Sequence, residues 1–206
     1  MSADIDRPVD VPPEVTFRRG VYTKKGLRLA TFSFQKKEQP LKAVIYLAHG
    51  YASHTCFDWL LPAEPGARHE LYQGSVIEGL VEAGFAVRAL DHTGHGYSAG
   101  APRCFFDRYQ DLVDEAEGYL RDEVKQEPEC IGLPVFLFGL SMGGATVVRM
   151  ALQAPDDYKG LVLYAPLLSM RFTTKQIHLE CRLSDEITMT NDVRLDCIFL
   201  LSFCSL

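Results

Sequence analysis

Four short apolar runs, each closed by glycine, proline or a polar cluster, constrain this chain more than any other feature. They are AVIYLAHG (43–50), GFAVRALD (84–91), LPVFLFG (133–139) and GLVLYAP (160–166). A strand that reads as a continuous apolar run, without alternation, is covered on both faces. Helical periods fall between them, somewhere in 69–83, over 107–127 and over 141–154. The clearest is 107–127, where Tyr109, Leu112, Val113, Ala116, Leu120 and Val124 share a face, acidic residues cover the other, and Pro128 ends the pattern. Such alternation predicts βαβ units, a mostly parallel sheet and an α/β domain with helices on both faces. An earlier run, LRLATFSF (27–34), alternates and reads as a half-buried strand.

The 206 residues suffice for one sizeable core. That core is expected over 15–166. Residues 1–14 are acidic and contain proline, which predicts a disordered arm and neither a signal nor a transit peptide. After Pro166 the periodicity degrades, and 167–206 reads as the start of a cap or lid followed by a divergent tail. The tail's apolar run, CIFLLSFCSL, is ten residues long, about half of a membrane span, so at most peripheral membrane contact is expected. A net charge of −6 without a basic stripe argues against nucleic acid as a partner. Six cysteines with no C-x-x-C spacing and no signal peptide predict free thiols and a cytoplasmic location.

Three of the apolar runs end in groups suited to chemistry: His49-Gly50, Asp91-His92 and Gly139-Leu140-Ser141. Reactive groups of α/β sheets gather beyond the carboxyl ends of the strands. FGLSMGG (138–144) contains G-x-S-x-G between a strand and a helix, the context of a nucleophile turn. Ser141 would sit at a strained backbone position, and Gly139, Gly143 and Gly144 would relieve crowding by strand and helix. Acyl transfer also needs N–H groups aimed at a developing oxyanion. The N–H of Met142 and that of Tyr51, in the turn AHGYAS (48–53), are the candidates. His49 reads as holding that turn by side-chain hydrogen bonds rather than as a general base. The segment 51–74 holds the only Trp with Phe57, Leu60 and Leu61; it reads equally as a loop plugged by its own aromatics or as a wall of an acyl pocket.

Taken together, His49-Gly50, DHTGHGYS (Asp91 to Ser98) and Gly139 to Gly144 resemble the monoglyceride lipase and lysophospholipase branch of the α/β-hydrolase fold, a serine aminopeptidase-like family. The resemblance runs over about 27–166. It implies a serine hydrolase of acyl glycerol or lysophospholipid esters, working through an acyl-enzyme under a lid, with no cofactor. It also implies that Asp91, His95 and Ser98 shape the loop beside the site. A metal reading of Asp91, His92 and His95 lacks a further ligand cluster.

In this fold the triad runs Ser, then acid, then His, and the family places the last two after further strands. Downstream of Ser141 the only histidine is His178. The triad acid and base stay unassigned, with Asp185 and His178 as the candidates the tail offers. The expectation is a C-terminally truncated α/β-hydrolase that lacks its last strands and self-associates through an uncovered sheet edge. A non-catalytic pseudo-hydrolase that binds lipid or protein is the alternative.

Overall fold

A computed structural model describes residues 9–167 and the backbone of 198–201. The chain enters through a hairpin of β1 (Val15–Lys24) and β2 (Leu27–Lys36). Lys25 and Gly26 turn it, both at positive φ, as a two-residue hairpin loop requires. There follow β3 (Ala43–Ala48), α1 (Thr55–Trp59), β4 (Leu61–Pro62), β5 (His69–Leu71), α2 (Val76–Glu82) and β6 (Phe85–Leu90). The second half runs α3 (Tyr109–Asp122), β7 (Val135–Leu140), α4 (Met142–Gln153), β8 (Gly160–Tyr164) and β9 (Ile198–Leu201).

Among the described residues the main sheet has the order β1-β2-β6-β3-β7-β8-β9. It is parallel from β6 through β9, while β1 and β2 join antiparallel. The chain steps outward from β3 to β6, then crosses back to β7 on the other flank of β3. That reversal brings the carboxyl ends of β3, β6 and β7 side by side, where an open α/β sheet forms its crevice.

The strand period of two divides the core. Val44, Tyr46 and Ala48 pack with Leu112, Ala116 and Leu120 of α3 and Ala145 and Val147 of α4. Ile45 and Leu47 face the other way, toward Trp59 of α1 and Ile77 and Val81 of α2. Helices thus cover both faces of the sheet.

The structure differs from expectation in five places. β2 is not half-buried: Leu29 through Phe32 are buried without a break, because β2 lies inside the sheet between β1 and β6. The helix expected somewhere in 69–83 is Val76–Glu82 and leaves Leu71 out; Gly74, at φ 79°, turns the chain and Ser75 caps the helix by accepting from the Glu78 N–H. His69–Leu71 instead pairs with β4. The helix read over 107–127 stops at Asp122 and continues as a 3-10 turn over Val124–Gln126. The end of the amino-terminal arm is packed, since Val9 is 3% exposed in the core and Asp10 bridges Leu71; residues 1–8 lie outside the described residues. Finally, the stretch read as a divergent tail contributes β9, which pairs with β8 in parallel register and forms the last strand of the sheet.

Candidate active site

Ser141 links the end of β7 to the start of α4 at φ 52°, ψ −113°. Three main-chain bonds hold it there: its N–H donates to Tyr164 O at 3.1 Å, and its carbonyl accepts from Ala145 N at 3.2 Å and Leu167 N at 2.9 Å. The glycines around it are set by contact. A Cβ on Gly139 would lie 2.4 Å from Gly143 O, and one on Gly143 would lie 2.1 Å from Ala48 O. One on Gly144 would meet Pro166 at 2.8 Å. No side chain other than hydrogen fits such spaces. Met142, the first residue of α4, is fully buried. Its carbonyl accepts from Tyr109 Oη at 2.6 Å and Thr146 Oγ1 at 3.1 Å, which ties α3 to the start of α4.

The turn after β3 runs directly against this serine. A Cβ on Gly50 would stand 3.6 Å from Ser141 Cβ. His49 is wholly buried. Its Nε2 accepts from the His92 N–H at 3.0 Å, which leaves the proton on Nδ1 to donate to Gly50 O at 2.7 Å. Tyr51 is 45% exposed, with its ring edge-on to His95 at 5.6 Å. Asp58 of α1 meets the same turn: Oδ2 accepts from the Gly50 N–H at 2.7 Å and Oδ1 from Ser53 Oγ at 2.6 Å. Sequence reading missed Asp58, because α1 is five residues long and too short to show a period.

The loop after β6 is tied together by its own motif. Asp91 accepts from the Thr55 N–H at 2.8 Å through Oδ1 and from the Tyr97 N–H at 2.9 Å through Oδ2. Ser98 Oγ accepts from the Ala30 N–H at 2.8 Å and donates to the Asp91 carbonyl. His95 Nδ1 pairs with Thr93 O at 2.9 Å. Both Asp91 oxygens are thus committed to amides, and among the described residues no group of three His, Cys, Asp or Glu is arranged to hold a metal ion.

Behind this loop three imidazoles cluster. The His49 ring is 5.0 Å from that of His92 and 5.3 Å from that of His95. Burial pushes the His92 pKa well below its ordinary value, and the neighbouring His49 and His95 push it the same way. Burial also lowers that of His95. Glu115 of α3, which accepts from the Thr93 amide and hydroxyl, is pushed up by burial. Its Oε2 lies 4.0 Å from His92 Nδ1, beyond hydrogen-bond reach.

The segment 51–74 serves two purposes. Trp59 is core, packed edge-on to Phe138 of β7 at 4.9 Å. The rest borders a cavity of about 480 Å³ with Ser53, His54, Phe57, Arg68, Tyr97 and Arg103 in its wall. Among the described residues no histidine or carboxylate bonds the Ser141 hydroxyl; His178 and Asp185 lie outside the described residues.

A model of the family described as serine aminopeptidase, S33, matches residues 66–195. The chain belongs to that family. Human monoglyceride lipase is 34% identical over 127 residues, covering 62% of this chain and 36% of that protein. Caffeoylshikimate esterase of Arabidopsis thaliana is 30% identical over 159 residues, covering 71% of this chain and 43% of that protein. This member of the S33 family therefore spans less than half the length of these curated relatives. Among solved structures, a thermostable carboxyl esterase from Bacillus coagulans superposes with a TM-score of 0.56 at 24% identity, over 71% of this chain and 43% of that one. A hydrolase from Thermoplasma acidophilum gives 0.55 at 21% identity, over 74% and 64%. Both share the α/β-hydrolase fold.

No helix among the described residues is long and apolar enough to cross a membrane.

Proposed function

We propose that this chain carries the nucleophile and oxyanion hole of a serine ester hydrolase acting on acyl glycerols or lysophospholipids. The observation that supports it best is the backbone of Ser141. A non-glycine residue held at positive φ between a strand and a helix, with glycines crowded around it, is strain kept for a purpose. Ser141 Oγ attacks the ester carbonyl carbon as its proton passes to a base, and the carbonyl π electrons move to oxygen. The N–H groups of Met142 and Tyr51 hold that oxyanion. Collapse expels the alcohol, which takes up the proton, and water then cleaves the acyl-enzyme by the reverse use of the same groups. The base and its orienting acid lie outside the described residues in this reading. The substrate class draws on the likeness to monoglyceride lipases.

The test is a fluorophosphonate probe on the full chain. Stoichiometric labelling that maps to Ser141 and vanishes in Ser141→Ala is expected, because only an activated serine reacts. A folded chain that stays unlabelled would sink the enzymatic reading and favour a non-catalytic binding module.

A further inference from the structure

We infer that Asp58 is a positioning residue for the oxyanion turn, a role that rests on the reading of Ser141 given above. The turn from Gly50 to Ser53 has no regular structure of its own and includes Ala52 at φ 56°, a conformation L-residues resist. Something must hold it. Two side chains grip Gly50, one on each of the peptides that flank its Cα. His49 Nδ1–H binds the Gly50 carbonyl, and the Asp58 carboxylate binds the Gly50 N–H.

The consequence follows from peptide geometry. The Gly50–Tyr51 bond is trans, so its C=O and N–H point in opposite directions. With the Gly50 carbonyl turned toward the buried His49 ring, the Tyr51 N–H must point away from it. Gly50 lies against Ser141, so the position of this one peptide fixes where that N–H sits relative to the nucleophile.

His49 holds the Gly50–Tyr51 peptide by its carbonyl, and Asp58 holds the preceding His49–Gly50 peptide by its N–H. The second Asp58 oxygen takes the Ser53 hydroxyl, so one carboxylate clamps both ends of the turn. Asp58 is itself placed by packing. Its helix is anchored at one end by Thr55 N–H on Asp91 and at the other by Trp59 against Phe138, the residue three before Ser141. The nucleophile strand, the loop after β6 and the oxyanion turn therefore meet through α1.

A charged acceptor makes a hydrogen bond roughly twice as strong as a neutral one. Losing it should free the Gly50 amide by roughly tenfold or more in exchange rate. A donor misplaced by about 1 Å costs on the order of 100-fold in rate.

The experiment is residue-resolved amide hydrogen exchange on the full chain, comparing wild type with Asp58→Ala, together with fluorophosphonate labelling rates. Faster exchange at Gly50, with the amides of Ala43–Ala48 still protected, is the expected result. Labelling of Ser141 should slow without a change in the probe concentration at half-saturation. Unchanged exchange at Gly50 overturns the inference. If Asp58→Ala does not fold, Asp58→Asn replaces it: a neutral acceptor should raise Gly50 exchange several-fold, and no change overturns the inference equally. Exchange does not depend on activity. A wild type that fails to label thus counts against the proposed function alone, while the Gly50 comparison still decides the role of Asp58.

Discussion

Ser141 occupies the geometry of the first central position of a type II′ turn, where glycine is the natural residue. A side chain there costs about 1–3 kcal/mol. Ser141→Gly should therefore abolish probe labelling while raising stability by about 1 kcal/mol, once the greater chain entropy of glycine is offset. Thermal melts of the two proteins check this; a less stable variant would mean that the side chain itself holds the turn. Much of this site was legible at the residue scale. The glycines of FGLSMGG and the His-Gly pair of AHGYAS announce close backbone approach, which only glycine permits. Asp58 and Glu115 gave no such sign, since a single carboxylate in a helix looks the same whether it faces water or a turn.

Among the elements, β6 carries a charge that its apolar pattern hides. Arg88 is buried in the middle of the strand and donates through Nε to both Glu127 oxygens, at 3.2 and 3.1 Å. It also binds Gln35 of β2 at 2.6 Å, so one guanidinium joins β6, its neighbour and the chain after α3. Glu127→Ala would leave that guanidinium without its carboxylate. A loss of about 2–3 kcal/mol is expected, measured by urea denaturation with an unchanged m-value. A loss below about 0.5 kcal/mol would show that Gln35 and the Val87 carbonyl suffice. The sequence showed the elements whose burial is uniform, β3 and β6 above all. It placed a helix somewhere in 69–83 but not its start, since Leu71 joins the helical spacing of Ile77, Leu80 and Val81 although Gly74 interrupts the pattern. It could not place β9, because strand pairing across a long sequence gap leaves no local mark.

Over the whole molecule, the buried imidazoles tie stability to pH. His92, His95 and His54 all have folded pKa values lowered chiefly by burial. A lowered histidine pKa contributes stability present above about pH 6.5 and lost as pH falls below it, since the unfolded chain takes up protons the fold refuses. Glu115 has the opposite sign: its raised pKa favours the fold in acid, and that contribution is lost as pH rises through the folded value. His92→Leu isolates one histidine from this balance. Between pH 6 and 5 the wild type should lose about 1.4 kcal/mol per pH unit more than the variant. Parallel stability curves for the two proteins would mean that His92 is protonated within the fold.

The bond from Leu167 N–H to the Ser141 carbonyl has a consequence for how such a chain can diversify. The described core ends, at Leu167, one hydrogen bond from the backbone of Ser141. Whatever the chain carries next starts at the rim of the reaction centre, so insertions there can alter what reaches the serine without repacking a single strand. Under the function proposed above, length could change after Leu167 while the strands that hold Ser141 keep their register.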